Sequence, residues 1–172
     1  YFSPFYKTDK PILAIQPHGG PEGLGYQYSW TRDIPTPTVN EVLEYYKESH
    51  TIIHIKRQDQ IIYPDTLQAL DGFRSIAILL QLSDKRLLVD SFTQHMAAAL
   101  NLKSTVCWIS TKPEVFGYKL HDNVKAEPFT KEPDLNAAAY NPFHLTQDIH
   151  SIPYNDLNEV FTTDKIFTSL NS

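Results

Sequence analysis

The six residues Asp90-Ser91-Phe92-Thr93-Gln94-His95 bring a carboxylate, two hydroxyls and an imidazole into one short stretch, directly ahead of Ala97, Ala98 and Ala99. Arg86 to Asp90 has the apolar run of a buried strand, and Ser91 to Leu100 reads as a helix. A strand passing at once into a helix presents unbonded N–H groups and the positive end of the helix dipole, which together favour an anion such as a diphosphate. The hydroxyls of Ser91 and Thr93 and the ring of His95 can add hydrogen bonds, and the small alanines let the helix sit close to a sheet. The same residues also satisfy a capping box, Ser91 with Gln94 three positions on, and Asp90 beside a helix N-terminus stabilises it whatever the function.

The elements that must position this stretch alternate along the chain. Pro11 to Gln16 is a nearly continuous apolar run closed by Pro17-His18-Gly19-Gly20-Pro21, as in a buried strand ending in a tight loop. Thr36-Pro37 predicts an N-cap followed by proline at the first helical position, with Val39, Val42, Leu43 and Tyr46 at helical spacing. Thr51 to Ile55 follows as a strand, Pro64 to Leu70 as a short helix, Ser75 to Leu82 as a helix, and Ser104 to Ile109 as a strand. Asn123 to Ala126 reads as an edge strand. Residues 127 to 153, rich in Pro, Asn and His, read as irregular. Asp156 is placed to cap a last helix whose stripe of Leu157, Val160, Phe161, Phe167 and Leu170 packs on this domain or on another. This alternation implies an α/β fold with a doubly wound, mostly parallel sheet in three layers, with a core over about residues 11 to 126.

In such a sheet ligands bind beyond the carboxyl ends of the strands. That rule selects the loops Gln16 to Gly25, Lys56 to Gln60, Asp90 to His95 and Ser110 to Gly117. Cationic help for a phosphate is available from Arg32, Lys56 or Arg57. The glycines Gly19 and Gly20 fit neither the Walker nor the dinucleotide pattern.

Bulk properties exclude several classes. A net charge of -5 argues against a general nucleic-acid surface, which needs clustered Lys and Arg. The single cysteine, Cys107, cannot form an internal disulfide and suits the cytoplasm. The apolar run Ile76 to Leu82 is broken by Gln81 and falls far short of the roughly 20 residues of a membrane span. His50 and His54 are four residues apart, but a helix-to-strand change between them breaks a common metal-binding face, and no Gly-x-Ser-x-Gly elbow exists. The chain, at 172 residues, suits a single domain and reads as a fragment lacking an initiator methionine.

The stretch from Asp90 through His95 and the three alanines to Val106, continuing to Ser110-Thr111-Lys112-Pro113-Glu114, resembles the Asp-Ser/Thr-Gly-x-x-His-x-Ala-Ala-Ala segment of lipopolysaccharide heptosyltransferases and its following Gly-Thr-x-Pro-like loop. A weaker likeness runs back to residue 11. The resemblance implies the C-terminal, nucleotide-sugar-binding domain of a GT-B glycosyltransferase, with a Rossmann-like fold and metal-independent inverting transfer to a glycan or lipid-linked acceptor.

It further implies that Asp90, Ser91 and Phe92 lie against the donor with Thr93 and His95 close by. It also implies Thr111 in the following loop, a basic residue near Arg32, and an acidic ribose partner for which Asp59 is the nearest match. One departure stands out: the family's glycine is Phe92 here, and a ring there keeps the backbone from approaching a phosphate freely. The base is expected in an N-terminal acceptor domain absent from this chain, so no catalytic residue is assigned. The expected partners are a nucleotide-sugar donor and that acceptor, with peripheral membrane association open to the longer protein. A non-catalytic binding domain or half of a sugar-nucleotide epimerase are the competing readings on the same fold.

Overall fold

A computed structural model describes residues 8–19, 30–58, 60–69, 72–132 and 152–172. In chain order the elements are β1 (Ile12–Ile15), α1 (Thr36–Tyr46), β2 (Thr51–Ile55), β3 (Leu67–Ala69), α2 (Phe73–Leu82), β4 (Lys85–Val89), α3 (Phe92–Ala99), β5 (Thr105–Trp108), α4 (Pro113–Phe116) and β6 (Asp122–Lys125). A 3-10 turn (Leu157–Glu159) and α5 (Thr163–Leu170) follow.

The six strands form one sheet in the order β3-β2-β1-β4-β5-β6, and every neighbouring pair is parallel. Strand β1 shows why both faces must be covered. Leu13 and Ile15 point into one core with Val39, Val42 and Tyr46 of α1 and Ile166 and Leu170 of α5. Ile12 and Ala14 point into the other, with Ile76, Leu79 and Leu80 of α2 and Ala97 of α3. Alternate residues of a strand face opposite sides, so an all-apolar strand is buried twice. The three-layer α/β expectation holds, with a wholly parallel sheet among the described residues.

Several local expectations are corrected. The short helix expected over Pro64 to Leu70 does not form over residues 64 to 69, and Leu67–Ala69 is a strand; Leu70 lies outside the described residues. Asp65 takes a left-handed backbone, φ 58, that a continuing helix excludes, and residues 67 to 69 add to the free edge of β2 with Ile53 opposite Leu67. Thr36 is not the cap of α1: Pro35 holds that position and no side chain caps the helix, so the boundary lies one residue earlier. The Ser91 and Gln94 capping box does not form. Of the three alanines only Ala97 is fully buried against the sheet, while Ala99 is exposed, as a helix facing the sheet with one stripe requires. Asp156 caps the 3-10 turn, accepting from the Asn158 N–H at 2.9 Å, and α5 starts only at Thr163.

Helix α5 packs back on this domain. Tyr46 donates to Asn171 Oδ1 at 2.9 Å, and Tyr45 stacks on Phe167 with ring centroids 4.6 Å apart. Most of the stretch expected to be irregular, along with Gly20 and Asp59, lies outside the described residues.

Candidate binding site at the strand-order reversal

Consecutive strands run outward in opposite directions from β1 and β4, so the loops leaving their carboxyl ends part and open a crevice between them. A cavity of about 420 Å³ occupies that place. Gln16, His18 and Gly19 from the β1 loop form one wall and Ser91 and Phe92 from the start of α3 another. Lys56, Arg57, Gln58 and Gln60 beyond β2 and Gly72 and Phe73 at the start of α2 close the remaining sides.

The β1 and β4 loops touch closely enough to explain one glycine. A Cβ at Gly19 would stand 3.2 Å from Val89 Cγ2 and 3.3 Å from the Asp90 carbonyl oxygen, so a larger residue would push the two loops apart. Gln16 fastens them. Its amide donates to Ser91 Oγ at 3.2 Å and its carbonyl oxygen accepts from the Thr93 hydroxyl. That bond draws the Ser91 side chain away from the capping position, and the first-turn N–H groups of α3 are left without a side-chain cap.

The expected site residues separate into two groups. Gly19, Lys56, Ser91 and Phe92 meet in the cavity wall, with Arg57 beside them. Asp90 sits half-buried in the turn and forms no part of that wall. Thr93 is buried with its hydroxyl committed to Gln16. His95 is exposed on α3 and lies 3.1 Å from the Tyr118 hydroxyl, off the cavity wall. Arg32 is half-buried in the turn before α1 and also off the wall. Thr111 lines a second cavity of about 710 Å³ beyond β5 and β6, and its buried hydroxyl has no partner.

Lys56 is only 6% exposed although it lines the cavity. Its ammonium donates to the Gln58 carbonyl at 3.5 Å, and no carboxylate of a described residue pairs with it. Phe92 meets Phe73 edge to face at the cavity mouth, ring centroids 5.3 Å apart.

Behind the β1 wall lies a polar cluster that sequence reasoning missed. Asp33 Oδ2 lies 3.2 Å from His18 Nδ1, Asp33 Oδ1 accepts from the Gly19 N–H at 2.9 Å, and His18 Nε2 is 3.0 Å from the Tyr63 hydroxyl. His18 and Tyr63 rings stack, 5.9 Å apart and 3° from parallel. Burial pushes the Tyr63 hydroxyl up to about 12, against a hydrogen bond with Thr36. His54, fully buried beside them, has no partner for either ring nitrogen, and burial lowers it to about 3, with His18 and Lys56 adding to the effect. The imidazole is therefore neutral and packs as an apolar group. Only the residue types of His18 and Asp33 flanking the first loop hinted at the cluster. Tyr63 is brought in by the turn ahead of β3. Among the described residues no three His, Cys, Asp or Glu side chains converge as a metal site would require.

This strand order, with its cavity at the reversal, defines an open doubly wound α/β fold, the architecture of one Rossmann-like half of a GT-B protein. Solved structures agree. The chain is similar to E. coli heptosyltransferase WaaC with ADP, at a TM-score of 0.56 and 12% identity, over 69% of this chain and 38% of that one. It is equally similar to E. coli ADP-heptose lps heptosyltransferase II, at 0.56 and 13%, over 72% of this chain and 41% of that one. The chain thus spans about two-fifths of these proteins' length. No protein-family model and no curated protein matches the sequence.

Proposed function

We propose that this chain is the donor-binding domain of a glycosyltransferase, holding a nucleotide-diphosphate sugar in the cavity between the β1 and β4 loops. The observation that carries the reading is the uncapped start of α3 at the strand-order reversal, opposite a buried lysine in the same cavity. Developing charge on a departing diphosphate needs preorganised donors, and backbone N–H groups of a helix's first turn supply them without reorganisation. Lys56 makes the β2 side of the same cavity cationic, and the transfer proposed here uses no metal ion.

Two hydrophobic cores that share one sheet support reading the described residues as a single domain. The acceptor, a glycan or a lipid-linked one, and the base that deprotonates it in an inverting transfer belong to a second domain. No helix of the described residues is long and apolar enough to cross a membrane, and the one cysteine is buried and unpaired; a cytoplasmic setting accommodates both.

Isothermal titration with UDP-, GDP- and ADP-sugars and their free diphosphates tests the reading. Binding of at least one donor, weakened by Ser91→Trp at the cavity wall, is the expected result. Absence of binding across the whole panel would mean a domain that retains the fold without the site. Transferase activity of the isolated chain would contradict the placement of the base elsewhere.

A further inference from the structure

We infer that the cavity takes a nucleotide whose ribose itself carries a phosphate, at the 2′ or 3′ position, in addition to the 5′-diphosphate. The inference rests on the donor-site reading and concerns the opposite end of the same cavity. In a doubly wound sheet the loop after the second strand reads the ribose: a carboxylate there accepts from a vicinal diol, whereas a basic residue there accommodates a ribose phosphate. The residue directly after β2 is Lys56.

Three observations make Lys56 more than a surface charge. It is nine-tenths buried yet lines the cavity. Its ammonium reaches only one carbonyl, at the limit of hydrogen bonding, and no carboxylate of a described residue neutralises it. A largely buried lysine with no counter-charge among the described residues gains from an anionic ligand group in the cavity that it lines. Around it stand Arg57, Gln58 and Gln60, side chains rich in donors.

A plain nucleoside diphosphate puts its charge at the start of α3 and offers the β2 end two neutral hydroxyls. That leaves Lys56 without a counter-charge among the described residues. A ribose phosphate satisfies both ends at once.

The test compares dissociation constants for adenosine, guanosine and uridine 5′-diphosphates with those of the same nucleotides bearing an added 2′- or 3′-phosphate. Titrations use the full chain, Lys56→Met and Lys56→Arg, each first shown to melt cooperatively. At least a tenfold preference for the ribose-phosphorylated form is expected, collapsing to near one in Lys56→Met and largely kept in Lys56→Arg. Equal affinity for the two forms in the unaltered chain overturns the inference alone, as does a preference that survives Lys56→Met. Failure of every nucleotide to bind overturns the donor reading together with it. Losing cooperative melting in Lys56→Met while Lys56→Arg keeps the preference supports the charge requirement.

Discussion

The Asp33 carboxylate meets the His18 imidazole at 3.2 Å, with both side chains buried, and its other oxygen takes the N–H of the neighbouring Gly19. Two ends of the long β1–α1 connection are thereby tied together behind the cavity wall, and Gly19 is held against the β4 turn. Removing one partner of a buried pair leaves the other without compensation. Asp33→Ala takes the acceptor from the buried His18 ring and from the Gly19 N–H, and is expected to lower unfolding free energy by about 3 kcal/mol, since each buried group left unsatisfied costs about 1–3 kcal/mol. Urea denaturation measures it, and a loss below about 1 kcal/mol would place the pair among weak, solvated contacts.

His54 supplies a pH dependence whose sign is fixed. Folded, its pKa is held at about 3 by burial, whereas the unfolded imidazole titrates near 6.5. Below pH 6.5 the unfolded chain therefore binds a proton that the folded chain refuses until about pH 3. Stability is fully present above pH 6.5 and falls with pH by up to about 1.4 kcal/mol per unit across that window. His54→Leu removes the titrating group. Between pH 6.5 and 4.5 the variant should lose about 2 kcal/mol less than the unaltered chain. Burial also lowers His50 and His121, but both act equally in the two proteins. Parallel pH profiles for the two would remove His54 from this role.

Cys107 lies in β5, buried, and desolvation raises its thiol far above the ordinary range. The reactive thiolate is then absent in the folded protein. A disulfide reagent at pH 8 should label Cys107 only as fast as the protein opens globally, and at once in denaturant. Rapid labelling under native conditions would mean that the central sheet opens locally.

How much of this was legible depended on the range of the interactions concerned. Strands β1, β2, β4 and β5 and helices α1 and α3 announce themselves by local period, because each must bury a face that its own residues define. Strand β3 does not: its three residues become a strand because β2 offers an unpaired edge, and the sequence near Pro64 reads equally as a helix start. The site divides similarly. Gly19, Lys56, Ser91 and Phe92 are readable from the sequence because they lie within a few residues of the carboxyl ends of β1, β2 and β4, where the topology makes loops converge. Thr93 and His95 sit on the same helix as the site, yet only its first residue, Phe92, faces the cavity; one is turned inward to Gln16 and the other outward to Tyr118. His18 and Tyr63, 45 residues apart, carry no local signal of their contact.

Phe92 offers the sharpest test of the proposed donor site. It is the first residue of α3, 36% exposed, and its ring leans edge-on against Phe73 across the cavity mouth. Phe92→Gly removes that aromatic pair and lowers helix propensity at a position where the helix is already uncapped. Together these should cost about 1–2 kcal/mol of stability, read from thermal or urea unfolding. The same change opens the first-turn N–H groups to an approaching phosphate, and one additional charge-assisted hydrogen bond is worth about 1.5–3 kcal/mol. A bound nucleoside diphosphate should then gain affinity by about tenfold, since each tenfold corresponds to about 1.4 kcal/mol. The opposite result has its own meaning. Weaker binding in a variant that still folds would make the ring a contact for the ligand rather than an obstacle, and the Phe73 and Phe92 pair would become part of the recognition surface.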